Sequence, residues 1–126
     1  PLTPELLAAG RHFIHMEGRS VFKWAVRVLV DSSLDVLHHA RLSPDDLDLI
    51  IFHQANARII DAAVDGLGFE RHRVIINLDR YGNTSAGSMP LALDEAYREG
   101  RIRRGDRVLL SGFGGGLSWG TAVMQW

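Results

Sequence analysis

Apolar residues recur along this chain with two different spacings, and the alternation between them sets the expected architecture. Residues 1–10 read as a short helix ending at Gly10, followed by a brief extended stretch from Phe13 to Met16. From about Ser20 to Ala40 the spacing is helical. Phe22, Val26, Leu29, Val36 and Ala40 fall near one face, and Ser20 stands where an N-cap is expected. Ser43-Pro44-Asp45-Asp46 opens a further short turn of helix, with Ser as cap and Pro at the first position. Leu49-Ile50-Ile51-Phe52 is an unbroken apolar run, the pattern of a strand buried on both faces. A helix is predicted from about Asn56 to Leu67, with Ile59, Ile60, Ala63, Val64 and Leu67 as its buried stripe and Gly68 as its stop. Val74-Ile75-Ile76 reads as a second short buried strand, and Ser88 to Glu99 as a helix ending at Gly100. Two last strands, Arg107 to Ser111 and Leu117 to Gln125, are joined by Gly112-Phe113-Gly114-Gly115-Gly116. That connection is too short for a crossover helix, so the pair should be antiparallel. The order predicts an α/β fold with a mixed sheet covered by helices.

Bulk composition narrows the class. The chain has 126 residues, which suits one domain covering 1–126, and it is 46% hydrophobic and 23% charged, in the range of soluble globular proteins. A net charge of -1 gives no electrostatic case for nucleic acid or a membrane surface. No apolar run approaches the roughly 18 residues of a membrane span. Pro1-Leu2-Thr3-Pro4 carries neither the basic nor the apolar region of a signal peptide, so a cytoplasmic location is expected. There are 0 cysteines, which excludes disulfides, thiolate zinc sites and any cysteine nucleophile within these residues. Lys23 is the only lysine. The arginines cluster at Arg98, Arg101, Arg103, Arg104 and Arg107, which read as a solvated turn.

Three polar or glycine-rich places break the apolar pattern, and each follows a predicted strand. His53-Gln54-Ala55-Asn56 sits where the first buried strand meets a helix. Ligands in open α/β sheets bind beyond the carboxyl ends of strands, and a His there can exchange a proton near neutral pH. The same residues also read as a strand end and a helix cap. Gly82-Asn83-Thr84-Ser85-Ala86-Gly87 is built of small residues that let backbone approach a ligand, and Asn83 brings an amide donor; the segment equally reads as an ordinary loop. Asn83-Thr84-Ser85 is a glycosylation sequon, discounted without a secretory signal. The glycines around Gly115 offer backbone N–H groups to a developing oxyanion, or make a tight corner needing positive φ. Gly116-Leu117-Ser118-Trp119-Gly120 matches the nucleophile elbow of hydrolases, but no acid or His follows it. The glycine run does not fit a dinucleotide loop, because Leu117 stands where the last Gly is required. His12 with His15, and His38 with His39, lack a third ligand, so no metal is expected.

Together, the segments His53 to Asn56, Leu78-Asp79-Arg80-Tyr81-Gly82-Asn83-Thr84-Ser85-Ala86-Gly87-Ser88, Leu91 to Ala96 and Phe113 to Gly120 resemble ketoacyl-ACP synthase III, a condensing enzyme of thiolase fold. The resemblance extends from about Met16 to Trp126 and implies the C-terminal half of that fold. The chain begins beyond the point where that half starts its first strand, so a sheet short of one strand is expected. It implies a Cys-His-Asn site in which His53 and Asn83 are catalytic and the Cys lies outside these residues. Both side chains would donate to the malonyl thioester oxygen as it becomes an enolate, and the Gly115 N–H would complete a second oxyanion hole. Gln54, Ala55, Asn56, Ala57 and Arg58 match the family's segment for acyl carrier protein (ACP) and coenzyme A. The implied reaction joins an acyl-CoA primer to malonyl-ACP in fatty acid biosynthesis with loss of CO2, without a cofactor. The implied partners are ACP, acyl-CoA and a Cys-bearing N-terminal half without which the chain is inactive; a homodimer is also expected. Alternatives are a polyketide-pathway acyltransferase with another acceptor and a non-catalytic ACP-interaction domain.

Overall fold

A computed structural model describes all residues, 1–126. Its elements are α1 (Pro4–Ala8), α2 (Gly18–Ala40), β1 (Leu49–Phe52), α3 (Ala57–Leu67), α4 (Leu78–Tyr81), α5 (Ser88–Arg98), β2 (Arg107–Gly114) and β3 (Ser118–Gln125). The sheet order is β1-β2-β3, with β1 parallel to β2 and β2 antiparallel to β3. This is the mixed sheet that the pattern predicts.

β1 explains its own unbroken hydrophobicity, because both of its faces are covered. Ile50 and Phe52 join Leu109 in a core built with Ala25, Leu29 and Leu37 of α2 and Ile60 and Val64 of α3. Leu49 and Ile51 join Val108 on the other face against Ala92 and Ala96 of α5. Helices α2 and α3 pack closely at Gly66, where a Cβ would stand 2.9 Å from a methyl of Val30. A chain of hydroxyls also ties α2 to the sheet: Thr121 Oγ1 lies 2.6 Å from both Ser32 Oγ and Ser111 Oγ.

Several elements depart from their predicted limits. Helix α2 starts at Gly18 after Glu17, so Ser20 is inside it rather than capping it, and Ala40 is exposed. Phe13 to Met16 forms no strand and lies in the open. Val74 to Ile76 is reduced to one bridge, Val74 beside Ile50. The reason is that a side chain takes over the ladder. Ile75 N–H donates to Ile50 O, and beyond it the Gln54 amide donates to Ile75 O at 3.2 Å and accepts from Asn77 N–H at 3.0 Å. Conversely, β2 runs on through Gly112, Phe113 and Gly114, which pair with Gly120, Trp119 and Ser118. Only Gly115–Leu117 remain as the connection, with Gly116 at φ 77°. The second edge of β3 has no partner within this chain.

Candidate active site

The carboxyl end of β1 leaves the sheet at His53, whose N–H donates to Ser111 O at 2.9 Å. Alternation along the strand turns its ring toward the α5 side, where Nδ1 lies 2.6 Å from Ser88 Oγ. Phe113 meets the ring edge-on, with centroids 5.5 Å apart at 81°. Gly112 makes room for this arrangement: a Cβ there would lie 3.5 Å from His53 Cβ and 2.9 Å from the Met89 methyl. Burial without a charged partner holds the His53 pKa below its ordinary 6.5, so the neutral ring is favoured.

Asn83 lies in the loop between α4 and α5. Its Oδ1 accepts from Ser85 N–H at 3.0 Å, which leaves the amide NH2 as its free pole. The loop is anchored at its entrance by Glu95 of α5, which accepts from Asn77 Nδ2 at 2.9 Å and pairs with Arg80 at 2.5 Å. Ser88 anchors its exit. The third element is the β2–β3 connection carrying Gly115, which is exposed.

His53, Asn83 and Gly115 all border one cavity of about 1020 Å³. Its apolar wall includes Trp24, which meets Phe113 edge-on at 5.8 Å and Trp119 at 6.2 Å. Such a space admits a long ligand with an apolar portion, with His53, Asn56, Asn83 and Ser85 among the polar side chains on its wall. No group of three or more His, Cys, Asp or Glu side chains converges on a common point.

The segment after His53 divides into two kinds of residue. Asn56 caps α3, its Oδ1 accepting from Arg58 N–H at 2.9 Å, and it borders the cavity along with Ala55. Ala57 and Arg58 are exposed on the first turn. Gln54 is the correction. It is 0% exposed, with both amide poles committed inside the chain, so it has no surface to offer a carrier protein. Sequence reasoning missed Ser88 as more than a helix start, and missed Asn77 and Glu95 as supports of the Asn83 loop. A serine two positions before Pro90 is the faint signal for Ser88; nothing local marks Asn77.

Known proteins supply the family and the fold. The chain is 54% identical, over all of its 126 residues, to a beta-ketoacyl-[acyl-carrier-protein] synthase III of Rhodopirellula baltica. It covers 36% of that protein's length. Among solved structures, the same type of synthase from Thermus thermophilus is 55% identical with a TM-score of 0.87, over 89% of this chain and 35% of that one. A priming beta-ketosynthase from the R1128 polyketide biosynthetic pathway is 41% identical with a TM-score of 0.83, over 88% of this chain and 34% of the other. The fold is therefore thiolase-like, and these residues form its C-terminal half. More narrowly, the chain belongs to the family of 3-oxoacyl-[acyl-carrier-protein] synthase III C-terminal domains, whose pattern matches residues 37–126. It spans little more than a third of the length of these relatives.

Proposed function

We propose that this chain carries the decarboxylating side of a 3-oxoacyl-ACP synthase III site, with the cysteine nucleophile supplied from outside these residues. The observation that carries the reading is the meeting of His53 and the free amide of Asn83 at one cavity. In the proposed step the bond between the malonyl carboxylate and its α-carbon breaks and CO2 leaves. The electron pair passes to the thioester oxygen as an enolate. Two donors already in place stabilise that oxygen more in a partly dry site than in water. The enolate carbon then attacks an acyl group held on the external cysteine, forming the new C–C bond and releasing the thiolate. Gly115 N–H would serve the earlier acyl transfer, with no side chain of its own in the way.

Carrier protein and coenzyme A would approach along the start of α3. Ala55 and Asn56 face the cavity, while Arg58 offers a charge to an acidic partner. A single exposed pair of that kind contributes only ~0–1 kcal/mol, so Arg58 would steer more than hold. The exposed Phe13, Ile14, Met16, Leu117 and Trp119 are the apolar surface that a Cys-bearing half or a second copy would cover. The likeness to a polyketide priming ketosynthase supports a second reading, the same chemistry on a different primer or acceptor.

The test is CO2 release from malonyl-ACP by the chain joined to a Cys-bearing half. His53→Ala and Asn83→Ala should each lower the rate by roughly 10²–10³-fold, the effect of losing an oxyanion donor. Full decarboxylation by both variants would remove them from the site.

A further inference from the structure

We propose that Ser88 is a positioning residue that locks His53 in the tautomer with its proton on Nε2, so that the ring presents an N–H to the cavity. The inference rests on the reading above only for its catalytic meaning; the tautomer itself follows from hydrogen-bond accounting.

Ser88 opens α5 and is 2% exposed. Its Oγ lies 3.2 Å from the backbone nitrogen of Gln54 and 2.6 Å from His53 Nδ1. A backbone N–H can only donate, so Gln54 takes one lone pair of the hydroxyl. The hydroxyl proton then needs an acceptor, and leaving it without one in a buried position costs about 1–3 kcal/mol. Within hydrogen-bonding distance the partner available to accept it is Nδ1. An Nδ1 that accepts carries no proton, so in the neutral ring the proton resides on Nε2. A doubly protonated ring would donate at Nδ1 and strand the Ser88 proton. Desolvation of His53 disfavours that state independently.

The remaining contacts fix where Nε2 points. Ser88 holds one side of the ring, and the Phe113 ring packs against it nearly at right angles. Nε2 has no partner in the chain, and His53 borders the cavity. Gln54 thus acts on His53 twice: its N–H orients the Ser88 oxygen, and its side chain pins the strand end below.

The test uses the whole protein with 15N-labelled histidine, His53 being identified by the signals lost in His53→Gln. Long-range 1H–15N correlation spectra near neutral pH should show an unprotonated Nδ1 and a protonated Nε2. In Ser88→Ala the two nitrogens should move toward averaged values as both tautomers become populated. Ser88→Thr, which keeps the hydroxyl, should restore the wild-type pattern. A protonated Nδ1 in the wild type overturns the inference, as does an unchanged pattern in a folded Ser88→Ala. If Ser88→Ala does not fold, the wild-type spectrum alone decides the assignment. Turnover separates this inference from the functional reading. Ser88→Ala should lower kcat for decarboxylation by roughly tenfold with little change in KM, less than loss of the donor itself. Spectra as expected, with His53→Ala retaining full activity, would leave the tautomer lock standing and refute the catalytic role.

Discussion

Gln54 completes a strand with a side chain. Its amide stands where the next peptide of a ladder would be, holding Asn77 N–H and Ile75 O and also donating to Phe52 O at 2.8 Å. Gln54→Ala would strand these groups in a dry region and leave a void. We expect a loss of about 3 kcal/mol, read as a lower urea midpoint with an unchanged m-value. The residues legible in the sequence are those whose roles are local. Asn56 is recognisable as a cap because it bonds two residues ahead. His53 stands out because a strand end is where polar chemistry collects. Gln54 reads as a partner contact because its burial depends on residues 75–77, some twenty positions along, folding back on it. Ser88 is obscured for the same reason, since its partners are His53 and Gln54.

At the scale of elements, α4, the Asn83 loop and α5 form one unit held by Glu95. The hydrogen bond from Asn77 and then the Arg80 guanidinium hold the Glu95 carboxyl below its ordinary 4.5, against the opposing effect of burial. A depressed carboxylate contributes stability that is present above the unfolded pKa and is lost as pH falls through the folded one. The melting temperature should therefore fall on acidification below about pH 4.5. Glu95→Gln should be less stable at neutral pH and flatter across the acid range; a parallel pair of curves would show that the pairing adds nothing. The long helices and β1 are legible because burial repeats with their period. The 74–76 segment is apolar enough for a strand, but Gln54 and Asn77 end its pairing after one bridge. β2 reaches past its expected end although glycine weakens a strand, because Gly112 to Gly114 stay paired with Ser118 to Gly120 of β3.

For the whole molecule, the mixed sheet and the helical cover are readable from the order of periodicities. The cavity is not, because it arises from three connections far apart in sequence that meet at one end of the sheet. No helix here is long and apolar enough to cross a membrane. One further consequence concerns β1, covered on both faces and flanked on both edges. Its amide hydrogens should exchange with solvent only when the entire domain opens, whereas those on the unpartnered edge of β3 should exchange through small local openings. Deuterium uptake resolved by residue would show the contrast; equal protection of both strands would mean that another segment covers the β3 edge in solution. His53 hangs from the slowest-exchanging strand, and Gly115 sits in the connection that leads from β2 into the fastest. The candidate site would then have one still wall and one breathing wall, with the proton-bearing ring on the still one.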